Sequence, residues 1–384
     1  MTRVPTIAQA KSHLSVDPPD LIVVAQTVAD GSALSLCEDV MEMDLDYIPR
    51  ILLLADPDTM MSADTAIHAG ADDLLFRPLD LAAFETRLIA LDRIAAEMRG
   101  LTARKRMAET SLGQLRDRYE VLERDLVEAK HLQQSLLPPA TRDYGSARFS
   151  IMLQSAHSLG GDLVSYFPVG KTKVGFFAFD VSGHGIPSAL MASRIAGLMS
   201  HQSLRRNIAI AFDTDGTARP RNPAELAYHL NEAILNDIRT DQYFTLIVGH
   251  CDLETGRVNF VQAGHPHPVI QRADGAIELA GDGGYPIGLI ADAVYEESEV
   301  TLHPGDRLLL LSDGVTDCID PDGNMLLEAG LIELMRENRA LKGPAFLDAM
   351  IWTLNGFASD QDFPDDISAL LIDFSGGTPI SPEP

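Results

Sequence analysis

The chain has 384 residues, 46% hydrophobic and 22% charged, enough for two or three separately cored domains and too apolar for disorder to be its default. Its formal net charge of -26 argues against a nucleic acid partner, because phosphate backbones are held by clustered Lys and Arg. Cys37, Cys251 and Cys318 share no metal or redox spacing, no apolar run reaches the ~20 residues of a membrane span, and the N-terminus lacks the regions of a signal peptide, so a cytoplasmic protein without disulfides or a membrane anchor is expected.

From Asp20 onward, short apolar runs alternate with helix-like stretches: LIVVA at 21–25, ILLLA at 51–55 and DLLF at 73–76. This is a βα pattern with strands buried on both faces. Residues 67–91, IHAGADDLLFRPLDLAAFETRLIAL, resemble the closing third of a response-regulator receiver domain. That resemblance puts the family's phosphorylated aspartate on Ala25, its switching Ser or Thr on Ala55 and its lysine on Arg77, so none of the three is intact. Residues 1–86 are therefore expected to be a degenerate, abbreviated receiver-like α/β domain that senses by binding or dimerising. A generic βα module is the plainer alternative.

Between Leu91 and Leu136 a three-four alternation runs through Ile94, Met98, Leu101, Leu112, Leu115, Tyr119, Leu122 and Gln133. The pattern lasts roughly six heptads, longer than a lone globular helix needs, and its flanks are charged. Lys105 on the seam, Gly100 and Gly113 weaken it. A coiled-coil linker at 87–137 is expected, roughly 70 Å long at about 1.5 Å per residue, pairing two protomers and stopped by Pro138 and Pro139.

Residues 138–376 form the largest unit, with 377–384 as a tail. Strand-like runs recur at hairpin spacing, among them KVGFFAFDV, YFTLIVGHCDLETGRVNFVQAG, DRLLLLSDG and ISALLIDF. Turn residues in ETGRV and ADGAI make the hairpins antiparallel. With the helical stretches between them, these runs predict a layered α+β domain.

Acidic residues in this unit stand at strand ends or tight turns: Asp162 in GGD, Asp180 in FDVSGHG, Asp313 in SDG, and Asp365 with Asp366 in PDD. Singly, each reads as a turn or a solvated loop. Together, carboxylates at the ends of buried strands repel unless cations neutralise them, and oxygen-only ligands favour hard ions such as Mg²⁺ or Mn²⁺. Two such ions can share a water, lower its pKa and hold it in line with a phosphoryl group. They would also supply the local positive charge that so acidic a chain needs to meet an anionic substrate.

The unit resembles the SpoIIE-type metal-dependent serine/threonine phosphatases, relatives of protein phosphatase 2C, through LLPP at 136–139, GGDLVSYF, FFAFDVSGHGIPSALMAS, AGHPHPVI, YPIGL, GDRLLLLSDGVTD and PDDISALLIDF, in that order. The resemblance implies two antiparallel sheets packed between helices, with two Mn²⁺ or Mg²⁺ in a cleft at one end. It implies Asp162 as a ligand, Asp180 as the bridge between the metals, the Val181 carbonyl as a further ligand, and Asp313 and Asp365 on the second metal. Asp366 stands beside Asp365 as the alternative. His184 is the candidate proton donor to the leaving serine oxygen, and His265 more simply holds a turn. The implied substrate is phosphoserine or phosphothreonine on a STAS-domain anti-sigma-factor antagonist. A cyclic-dinucleotide synthase, whose signature also begins Gly-Gly-Asp, would carry Glu and Phe where Leu163 and Val164 stand. A silent adaptor of the same fold is the other alternative, and loss of metal acids would mark it.

Overall fold

The computed structural model of the protein describes residues 1–58, 61–156, 158–200, 202–237, 242–359 and 361–380, and the chain divides into two units, Met1–Val121 and Leu122–Pro384. The first unit contains α1 (Ile7–Leu14), β1 (Leu21–Ala25), a small hairpin of β2 (Thr27–Val28) and β3 (Gly31–Ser32), and α2 (Ala33–Glu42). It continues through β4 (Arg50–Ala55), α3 (Ala63–His68), β5 (Asp73–Phe76) and into α4 (Leu81–Gln134). Thr6, Ser32 and Ser62 start the three short helices by accepting a backbone N–H with their hydroxyls.

The apolar runs at 21–25, 51–55 and 73–76 are the three strands of a parallel sheet in the order β1-β4-β5. Ile51, Leu52 and Leu53 are all fully buried, although successive residues face opposite sides of the sheet, which is why β4 reads as an unbroken apolar run. Ala25 ends β1 and Ala55 ends β4, while Arg77 follows β5, donates its backbone N–H to the Ala55 carbonyl at 2.9 Å and lies 3.7 Å from Asp56.

α4 runs unbroken through most of the expected linker, and Leu112, Leu115 and Tyr119 on its seam are 65%, 64% and 68% exposed. The seam is shorter than its sequence pattern. Leu91 is buried in the first unit, and the helix ends at Gln134, ahead of Leu136. Gln133 is buried and Leu136 packs against the second unit's core, so both leave the seam for tertiary contacts.

The second unit opens with β6 (Thr141–Asp143), β7 (Ala147–Gln154), β8 (Leu163–Val169), β9 (Lys173–Val181) and α5 (Ile186–Leu198). A hairpin of β10 (Ile210–Phe212) and β11 (Ala218–Pro220) precedes α6 (Pro223–Asp237), β12 (Phe244–Asp252) and β13 (Arg257–Ala263). Then come β14 (Val269–Gln271), β15 (Ile277–Leu279), β16 (Glu297–Thr301), β17 (Arg307–Leu311) and a short α7 (Asp313–Thr316). α8 (Leu327–Glu337), α9 (Pro344–Phe357) and β18 (Ile367–Phe374) complete it.

These strands make two antiparallel sheets, one ordered β16-β13-β12-β9-β8 and the other β15-β14-β17-β18-β7-β6. Phe176, Phe260, Leu308 and Leu370 are fully buried in the core between them, each contributing roughly 1.5–3 kcal/mol. Residues of α5 and α6 pack on the outer face of the first sheet, and those of α8 and α9 on the outer face of the second. The layered α+β architecture expected for this unit is the one observed.

Candidate active site

Strand alternation aims the acidic residues. In β9, Val174, Phe176 and Ala178 join the core between the sheets, while Phe177, Phe179 and Val181 join the core under α5 and α6. Asp180 has the parity of the inner set and therefore points into the gap between the sheets, one residue before the strand ends. By the same count Ser312 continues the inner row of Leu308 and Leu310, Ser368 precedes Leu370 and Ile372, and Asp162 precedes Val164 and Tyr166. Asp313 opens α7 one residue beyond Ser312 at the end of β17, and Asp365 and Asp366 stand just before β18, so the turns at one end of the sandwich bring in the rest.

Burial and mutual repulsion shift these carboxyls upward. Asp162 is only 1% exposed, and burial, then the charge of Asp180, hold its pKa well above the usual carboxylate range, against a smaller opposing effect of the Ser312 and Ser368 hydroxyls. Asp180 is pushed up to about 7, first by burial and then by Asp313, with Asp365 and Asp366 adding to it. Asp313 is raised by burial and by Asp365 and Asp317. The predicted acids Asp162, Asp180, Asp313, Asp365 and Asp366 thus sense one another at one end of the fold. Among the described residues no three His, Cys, Asp or Glu side chains close into a tight metal-binding group, so the acids share a field rather than a point.

Gly160 and Gly161 are required by crowding. A Cβ at Gly160 would meet the carboxylate of Asp366, and one at Gly161 would lie 2.8 Å from the Val181 carbonyl oxygen and 3.5 Å from Asp180 Oδ1. The Asp366 carboxylate accepts the backbone N–H groups of Ala156 and Gly161, each at 2.8 Å, and lies 3.5 Å from that of Asp162. Both of its oxygens are thereby engaged in holding the loop. Asp365 is exposed, and its Oδ1 accepts the N–H of Asp366 at 2.8 Å.

An all-oxygen donor set suits a hard divalent cation, and one buried oxygen of the site fits such a partner. Among the described residues, Oδ2 of Asp162 is buried without a hydrogen-bond partner, a position tolerable only if the group is protonated or faces a cation. After Asp180 the chain turns through Gly183 and Gly185, at φ values of 86° and 83°, which leaves His184 exposed between them. His265 is buried behind Asp180. Its Nδ1 lies 2.9 Å from the hydroxyl of Thr245, the cross-strand partner of Asp180, and burial lowers its pKa to about 3, so it is neutral.

Ser312, Ser368, Thr245 and Gln133 join the surroundings of the acids only in the folded chain. The two serines stand inside quoted motifs and could have been found by extending the inner-face alternation one step. Gln133 looked like a seam position, and only the fold turns it toward Gly160.

Residues 170–375 match the family described as SpoIIE, Stage II sporulation protein E, more than half of the chain. The chain belongs to the SpoIIE family. The phosphoserine phosphatase RsbP of Bacillus subtilis (strain 168) is 31% identical over 195 residues, covering 50% of this chain and 45% of that protein. The chain spans about half the length of the curated relatives it matches. Among solved structures, the SiaA-PP2C domain of Pseudomonas aeruginosa superposes with a TM-score of 0.55 at 18% identity, covering 67% of this chain and 98% of that one. The RsbU and RsbW domains of Rv1364c from Mycobacterium tuberculosis give 0.50 at 20% identity, covering 62% and 63%. At these identities the likeness shows a shared fold: the SpoIIE-family unit of this chain is a PP2C-like sandwich.

Proposed function

We propose that this chain is a metal-dependent protein serine/threonine phosphatase of partner-switching signalling. The observation that carries the reading is the group of raised, mutually repelling carboxyls, Asp162, Asp180 and Asp313, at one end of a sandwich whose sequence belongs to the SpoIIE family. Asp162, Asp180, the Val181 carbonyl, Asp313 and Asp365 would hold two Mn²⁺ or Mg²⁺. When bound, such ions activate water for attack on phosphorus and offset the charge on the phosphoryl oxygens.

The chain's own residues supply the rest. Asp180, between Asp162 on one side and Asp313 on the other, is the acid best placed to serve both cations. Asp366 holds the Gly160–Asp162 loop through backbone N–H groups and is assigned to that task rather than to a cation. His184, exposed in the Gly183–Gly185 turn, is assigned to donate a proton to the departing serine oxygen. Without cations, an acidic site on a chain of net charge -26 would repel a phosphorylated substrate.

The substrate proposed is phosphoserine or phosphothreonine, by likeness to the phosphoserine phosphatase RsbP, on a STAS-domain anti-sigma-factor antagonist, as the family resemblance implies. The exposed seam of α4 is assigned to pairing with a second copy, and the first unit to a degenerate receiver that regulates through that pairing. Hydrolysis of a phosphoserine peptide by the full chain, measured with Mn²⁺, with Mg²⁺ and with chelator, tests the activity. Turnover that needs metal and falls by at least about a hundredfold in Asp180→Ala is expected. Silence of the wild-type chain under all three conditions would replace the enzyme with an adaptor of the same fold.

A further inference from the structure

The last turn of α4 reaches the loop that carries Asp162. Gln133 is 4% exposed, and its Nε2 donates a 2.8 Å hydrogen bond to the Gly160 carbonyl. From the other side the Asp366 carboxylate accepts the Gly161 N–H at 2.8 Å. Neither glycine has a side chain with which to anchor itself, so these polar contacts set where the dipeptide lies. The end of the helix is itself fixed, because Leu136 and Leu137 pack against the core and the Gln202 amide donates to the Ser135 carbonyl at 2.9 Å. A buried amide and carbonyl deprived of each other are each left unsatisfied at a cost, so Gln133 and Gly160 move together.

Resting on the phosphatase reading above, we propose that Gln133 is a positioning residue. By gripping the Gly160 carbonyl it holds the loop in which Asp162 faces Asp180, and it makes the end of α4 a working part of the site. Gln133 touches neither substrate nor cation. It acts through one hydrogen bond and two peptide planes, and any displacement of the last turn of α4 reaches Asp162 by that route. The linker helix thereby controls how well the acids are arranged, in addition to pairing protomers.

The test uses the full chain with Gln133→Leu, with Gln133→Glu, which keeps the size and loses the donor, and with Gln134→Leu on the neighbouring exposed position as a control. In metal-free protein both Gln133 variants are expected to speed hydrogen exchange at the Ala156 and Gly161 amides about tenfold, with other core amides of the unit unchanged. Mn²⁺ affinity read by calorimetry is expected to fall about tenfold, and kcat to fall with little change in KM for the phosphopeptide. Gln134→Leu should match the wild type in all of these. Unaltered exchange at the two amides, unaltered Mn²⁺ affinity, or faster exchange throughout the unit with a lowered Tm would each overturn the positioning role. A wild-type chain that binds no Mn²⁺ and releases no phosphate would instead overturn the phosphatase reading and this role with it, whereas an active wild type with indistinguishable variants overturns the positioning role alone.

Discussion

At the scale of the residue, the site is shaped as much by what glycine omits as by what aspartate supplies. The Gly160 position would drive a Cβ into the Asp366 carboxylate, whose oxygens already hold two backbone N–H groups. Gly160→Ala must therefore move the loop or break the latch. We expect kcat/KM for a phosphoserine peptide to fall about a hundredfold, since small misplacements of reacting groups cost that much, while the unit stays folded by far-UV circular dichroism. An alanine variant of wild-type activity would show that the position of the loop is irrelevant to the site. The buried Oδ2 of Asp162 belongs to the same account. Among the described residues no hydrogen-bond partner reaches that oxygen, and a cation is a partner that suits its chemistry and its acidic neighbours.

At the scale of the element, α4 serves different surroundings along its length. Its first turns bury Leu91 and Ala95, its middle exposes Leu112, Leu115 and Tyr119, and its last turn buries Gln133. An exposed stripe of that kind in water favours a second helix, and a matching seam on another copy is the simplest partner. Leu112→Glu with Leu115→Glu is expected to convert a dimer into a monomer in analytical ultracentrifugation, with the Tm of the second unit unchanged. A wild-type chain that sediments as a monomer at tens of micromolar would exclude pairing through the seam. Strands were the most legible elements. KVGFFAFDV and ISALLIDF coincide with β9 and β18 from end to end, because both faces of each are buried and the apolar run is continuous. β16, with sequence ESEVT and alternating exposure at a sheet edge, offers no such run and was not read from sequence.

At the scale of the whole molecule, a net charge of -26 and a cluster of repelling carboxyls act in the same direction as pH rises. Asp180, at about 7 in the fold against 3.8 for the free side chain, contributes stability that is complete below about 3.8 and is lost as the pH climbs through about 7. Asp162 and Asp313 are raised for the same first reason, burial, and share the sign. The metal-free chain is therefore expected to melt at a lower temperature near pH 8 than near pH 5. Mn²⁺ should bind more tightly over that interval and release protons as it does, which calorimetry in buffers of different ionisation enthalpy measures. Binding without proton release near pH 6 would show that the acids are already ionised and that the field between them is weaker than the geometry implies.

The order of residues alone specifies most of the strands, the long helix, the identities of the acids and the glycines beside them, because buried strands, heptads and tight turns each impose a local rule on residue type. It also carried the family, since the motifs follow one another in a fixed order along the chain. Which side chains meet is settled by the folded chain. The pairing of β18 with β7, the Asp366 carboxylate on the Gly161 N–H and the Gln133 amide on the Gly160 carbonyl join residues far apart in the chain. Such contacts obey no local periodicity: they depend on how two sheets close over one core, and a buried glutamine at the end of a heptad reads the same as an exposed one until they do.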